Sequence, residues 1–108
     1  MTLIDKYVRY ISNIRRYSSR TVDIYCDVLM NYLRVIHKRK DVDDEVLLAS
    51  LNRSEIRQYQ VELLEEGLSS KTVSLHLSAL SSFCRYLMKE GHLKSNPVRL
   101  IVKPKVEK

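Results

Sequence analysis

Apolar residues recur along this chain at the spacing of helices rather than strands. Ile4, Tyr7, Val8, Ile11 and Ile14 share one face at a period of 3.6 residues, which predicts a first helix over about 3–16 with Lys6, Arg9 and Asn13 on its other side. Val22, Tyr25, Leu29, Tyr32, Leu33 and Ile36 predict a second over 20–39, with Ser18 or Ser19 as its N-cap. His37-Lys-Arg-Lys40 closes it with cations that suit the negative end of a helix dipole. Residues 41–51 lose the periodicity and read as a connection holding a single helical turn. Asn52-Arg-Ser-Glu55 is a variant capping box and predicts a third helix over 53–66, with Ile56, Tyr59, Leu63 and Leu64 inward and Gly67 at the left-handed C-terminal position. Val73, Leu77, Leu80, Cys84 and Leu87 give the most regular stripe, widened by Phe83 and Tyr86, and predict a fourth helix over 70–90 that Gly91 ends.

These helices are related in pairs. Ser18-Ser-Arg-Thr-Val22 and Ser69-Ser-Lys-Thr-Val73 lie 51 residues apart, and the register holds afterwards at Leu29 with Leu80, Tyr32 with Phe83, Arg34 with Arg85 and Ile36 with Leu87. The expected architecture is all-α, a bundle of four to five helices built from two helical hairpins. One domain is expected over 1–97, with 98–108, which contains Pro104, as the start of a linker.

Composition narrows the class. Only two glycines and two prolines occur in 108 residues, with 44% hydrophobic and 30% charged, so neither disorder nor a many-turned β architecture is indicated. No apolar run is long enough to cross a bilayer and no secretory signal opens the chain, which points to the cytoplasm. Cys26 and Cys84 form no C-x-x-C and read as buried free thiols of a reducing compartment. The net charge of +6 is unevenly distributed: residues 1–40 carry +6, residues 41–66 carry −6, and residues 67–108 carry +6. Such polarity orients an anionic polymer, although an ordinary dipolar surface has the same pattern.

Each repeated helix start gathers serine hydroxyls, helix N-terminal amides, a cation and a threonine hydroxyl within one turn. That arrangement suits a phosphate, with Arg20, Thr21, Lys71 and Thr72 as its members. Capping alone accounts for the serines but not for the cations, because a positive charge at a helix N-terminus opposes the dipole. Ser70, Lys71, Ser74, Ser78, Ser81, Ser82, Arg85 and Lys89 are expected on the fourth helix opposite its core stripe. Small hydroxyls let another surface approach, either a DNA groove or a second helix. Arg15, Arg16, Arg85, Lys89 and Lys94 are candidate backbone-reaching cations. The three histidines fall in no metal-ligand spacing and no glycine-rich phosphate loop is present, so no cofactor, metal or catalytic constellation is expected.

The run from Ser69 to Pro97 resembles the last core helix and exit of the core-binding domain of tyrosine recombinases and phage integrases. Ser70, Thr72, Leu77, Ser78, Ala79, Leu80, Phe83, Tyr86, Leu87, Gly91, Asn96 and Pro97 carry the match, and Ser19, Thr21, Tyr25 and Leu29 resemble that domain's second helix. The resemblance implies a SAM-like bundle forming half of a C-shaped clamp on duplex DNA, with the second and fourth helices near the major groove. It also implies a separate catalytic domain holding the Arg, Lys, His-x-x-Arg, His or Trp and Tyr set, so none of the seven tyrosines here is expected to be the nucleophile. Further protomers of the recombinase are the implied protein partners, and the nucleoid the implied place of action. His76 and Ser81 stand where the family often has Arg; His76, with Ser74, is nonetheless counted among the expected DNA contacts. Two rival readings survive the sequence: a helical protein-interaction module, whose serine face packs a partner helix, and a complete small DNA-binding regulator.

Overall fold

Helix α1, Leu3–Asn13, begins where Thr2 and Asp5 form a reciprocal capping box, the Thr2 hydroxyl accepting from the Asp5 amide at 3.1 Å and the Asp5 carboxylate accepting from the Thr2 amide at 3.2 Å. The computed structural model describes residues 2–39 and 41–101, with the backbone alone at Leu100. α1 is three residues shorter than its apolar pattern implies. Ile14 lies past its last turn, 70% exposed, and Arg16 turns the chain at φ +54°, where a side chain is rarely tolerated.

Helix α2 spans Ser19–His37 behind the Ser18 N-cap and ends at Lys38, again left-handed at φ +61°. The connection then yields more structure than expected: α3, Asp44–Ser50, is two turns long and buries Leu47, followed by buried Leu51. Its acidic first turn, Asp44 and Glu45, favours the helix dipole, a local signal that weak apolar periodicity concealed. Helix α4, Arg53–Glu65, starts where the Asn52 side chain accepts from the Glu55 amide at 3.0 Å. Ile56, Tyr59 and Leu63 are fully buried, but Leu64 is 43% exposed, one position off the buried stripe.

Helix α5, Ser70–Lys89, is the central element, packing against α2, α4 and the exit segment, and against α1 through Tyr7. Val73, Leu77, Leu80, Phe83, Cys84 and Leu87 are all fully buried. Each such side chain removed from water contributes about 1.5–3 kcal/mol, so this one stripe organises the bundle. Gly91 leaves the helix at φ +83°, and a 3-10 turn, Pro97–Leu100, follows behind Asn96, whose side chain accepts from the Val98 amide at 3.0 Å. Val98 and Ile101 are buried in the common core, so packing runs past residue 97, where the expected linker begins. The remainder of that linker, 102–108, lies outside the described residues, as does Lys40 of the basic cluster that closes the second helix.

The architecture is therefore an all-α SAM-like bundle of five helices with no strand among the described residues. Cys26 and Cys84 are free thiols, half-buried and buried. No helix among the described residues is long and apolar enough to cross a membrane.

Candidate nucleic-acid interface

The two repeated helix starts fold into the same local geometry. Ser18 Oγ accepts from the Thr21 amide at 3.2 Å and donates to Thr21 Oγ1 at 2.9 Å; Ser69 does the same with Thr72 at 3.2 and 3.0 Å. The serines are thus caps, and the threonine hydroxyls are drawn back over the first turn. Arg20 and Lys71 take no part in this and are exposed, with no ion-pair partner among the described residues.

Equivalent in form, the two starts stand far apart. Tyr17, which adjoins Ser18, meets Tyr25 edge-on at 6.0 Å and helps to line a cleft completed by Arg85, Tyr86 and Lys89 of α5. Lys71 sits at the opposite end of α5, about 21 Å from Arg85 at 1.5 Å of rise per residue. Helices α2 and α5 accordingly run antiparallel. Arg15, Arg85 and Lys89 come together in the cleft, a few residues from Arg20 and Thr21, whereas Lys71, Thr72, Ser74 and His76 line the other half of α5. Arg16 is exposed in the α1–α2 turn and Lys94 in the turn after Gly91.

The serine face divides in the same way. Ser82 is buried and its Oγ accepts from the Tyr7 hydroxyl at 2.7 Å; Ser81 Oγ accepts from the Asn96 amide at 2.9 Å and from Arg85 at 3.3 Å. Here the small hydroxyls form an intramolecular seam that lets α1 and the exit segment approach α5, contrary to an outward face. Ser70, Ser74 and Ser78 remain half-exposed along the first half of the helix.

His76 is half-buried within a polar chain that spacing gives no way to foresee, since its members come from three helices. Arg34 donates to Asn31 Oδ1, the Asn31 amide nitrogen donates to the Tyr59 hydroxyl at 2.8 Å, and that hydroxyl lies 2.7 Å from His76 Nδ1. Arginine only donates, so Asn31 accepts from it and donates on to the Tyr59 hydroxyl, whose own proton is then available to Nδ1; in that arrangement the neutral imidazole carries its proton on Nε2. Burial holds His76 below the usual imidazole range, against an opposing pull from Glu66, and pushes the Tyr59 phenol up to about 12.

All seven tyrosines make ring contacts, among them Tyr7 with Phe83 at 5.1 Å, Tyr10 with Tyr86 at 4.9 Å and Tyr32 with Tyr59 at 5.0 Å. Tyr86 lies on the widened core stripe of α5, yet with Tyr10 and Tyr17 it also walls a basic cleft that the apolar pattern does not reveal. The available signal was the interleaving of Arg15-Arg16-Tyr17 and Arg85-Tyr86. The acidic segment is spread over two places. Asp44 accepts from the Leu3 amide at 3.1 Å beside the start of α1, while Glu62, Glu65 and Glu66 border a shallow groove with Arg34 and Lys38.

The chain matches the family model described as phage integrase, N-terminal SAM-like domain, over residues 4–91. It is 30% identical over 107 residues to the tyrosine recombinase XerC of Bacillus pumilus, covering 98% of this chain and 33% of that protein. The XerC of Bacillus subtilis is 31% identical over 108 residues, covering 94% of this chain and 32% of the relative, and that of Chlorobaculum parvum is 25% identical, covering 97% and 32%. The chain thus spans about a third of the length of the curated relatives it matches. No solved structure matches it.

Proposed function

The chain belongs to the phage integrase N-terminal SAM-like domain family, and from that premise we propose that it is the DNA-binding part of a site-specific tyrosine recombinase. It holds the duplex at a recombination site while a separate catalytic domain cleaves and rejoins strands. Its partners on this reading are double-stranded DNA and further protomers of the same recombinase, and it works in the cytoplasm, on the nucleoid.

The observation that carries the reading is one face of α5: Lys71 at one end, Arg85 and Lys89 at the other, and half-exposed Ser74 and Ser78 between them, with Thr72 and His76 at the edge that turns towards α4. The separation of about 21 Å between the cationic ends exceeds the major groove width of about 12 Å, so both ends reach phosphates when the intervening face meets the groove. Arg20 and Thr21 add a third contact from the start of α2, and Arg15, Arg16 and Lys94 add charge beside it. The protein-interaction reading loses part of its motive, because Ser81 and Ser82 are already occupied within the chain.

Titrating the protein against a labelled duplex at several salt concentrations tests the proposal. Four neutralised phosphates give a slope of log affinity against log salt of about −3.6, a loss of about 150-fold between 50 and 200 mM. Absence of binding at the lowest salt overturns it in favour of a protein-interaction module.

A further inference from the structure

The cleft between the C-terminal ends of α1 and α5 is built more elaborately than packing requires. Three cations, Arg15, Arg85 and Lys89, converge on it with Tyr10, Tyr17 and Tyr86, and no carboxylate lines it. Lys89 Nζ lies 5.2 Å from the centre of the Tyr10 ring and the Arg15 guanidinium 5.8 Å from that of Tyr17. Ring faces attract cations and hold these long side chains near one orientation, reducing the entropy lost when they close on an anion. Glu90 reaches Lys89 only at 3.9 Å, with both side chains largely solvated, a contact too weak to neutralise it.

We propose that this cleft seats one phosphodiester of the bound DNA strand, as a contact separate from the two helix starts. The proposal rests on the DNA-binding reading above and names a place where that DNA is held. Size supports it: the cleft is open to solvent and has a volume of about 220 Å³, which suits a phosphodiester with its flanking sugar carbons better than a base pair. Charge supports a polymer over a free anion, because exposed Arg16 and Arg20 carry positive potential out of the cleft towards the start of α2. A lone phosphate has no use for that continuation. Guanidinium groups supply paired donors to phosphate oxygens, and the ammonium and tyrosine hydroxyls supply single ones.

The test uses the full chain, a labelled duplex, and a series in which one phosphate at a time is replaced by a neutral methylphosphonate. Arg15→Gln with Arg85→Gln should lower duplex affinity about tenfold and shrink the salt slope by one to two units, with an unchanged melting temperature. Arg57→Gln, exposed on α4, should change neither by more than a general loss of charge. At one backbone position the methylphosphonate should weaken the native chain but not the double variant, which identifies the seated phosphate. Tyr10→Phe, which keeps the ring and removes only the hydroxyl, should give a smaller loss at that same position. If the double variant binds duplex like the native chain while Lys71→Ala does not, the cleft proposal is overturned, and with it the contact at the Arg85 end of α5, while DNA binding through the Lys71 end stands and an acidic protein segment becomes the better occupant of the cleft. If the native chain itself fails to bind, the reading on which the cleft proposal stands fails first.

Discussion

His76 sits at the end of a chain of donors whose direction is fixed by Arg34, so its protonation state is coupled to three helices rather than to solvent alone. Protonating it would set two donors, Nδ1–H and the Tyr59 hydroxyl, against each other. The folded imidazole therefore titrates below its ordinary value, and the unfolded chain binds the proton first. The stabilisation is fully present above the unfolded value of about 6.5 and is lost as pH falls below it, because the unfolded state then carries more protons. Urea melts between pH 7.5 and 5 should show this decline, and His76→Gln should flatten it. Tyr59→Phe should cost about 1–3 kcal/mol, since it strands the Asn31 amide and His76 Nδ1 in a partly buried place. His76→Ala that weakens binding to a recombination site but not to random duplex would mark Nε2 as reading sequence; a lowered melting temperature with intact binding would mark a structural histidine.

Among the elements, the paired helix starts separate folding from binding within five residues. Ser69→Ala removes the hydroxyl that holds the Thr72 amide and should cost about 1 kcal/mol of stability. Lys71→Ala should leave stability unchanged or slightly higher, since it removes a cation from the positive end of a helix, while the salt slope of DNA binding shrinks by about 0.9. Arg20→Ala should do the same at α2. If neither variant alters the slope, the repeat is a pair of caps and nothing more. The positions of α2, α4 and α5 were legible in the sequence because apolar period and capping serine or asparagine agree there. The end of α1 was not, since Ile14 keeps the period after Arg16 has begun the turn, and α3 is too short for its period to register. The cleft was illegible for a different reason: its walls come from residues 10–17 and 82–89, and only the packing of α1 on α5 brings them together.

For the molecule as a whole, the three charge blocks do not become three faces. Asp43 and Asp44 lie beside the start of α1, with Asp44 tied to the Leu3 amide, whereas Glu66 is close enough to influence His76. Changing Asp43 and Asp44 together to Asn keeps an acceptor for Leu3 and should leave DNA affinity unchanged or slightly raised. Glu66→Gln should raise it more, because a carboxylate near the Lys71 end of α5 repels phosphates within a Debye length of about 8 Å. Fluorescence anisotropy on one duplex compares the two, and a large loss from the Asp43 and Asp44 pair with the fold intact would reverse the assigned polarity.

Val98 and Ile101 have a mechanical meaning as well as an energetic one. With both side chains seated in the core, the chain is clamped to the bundle as far as Ile101. A pull arriving from further along the chain therefore falls on core side chains, not on a surface loop, so it would strain the bundle before the bundle lets go of its anchor.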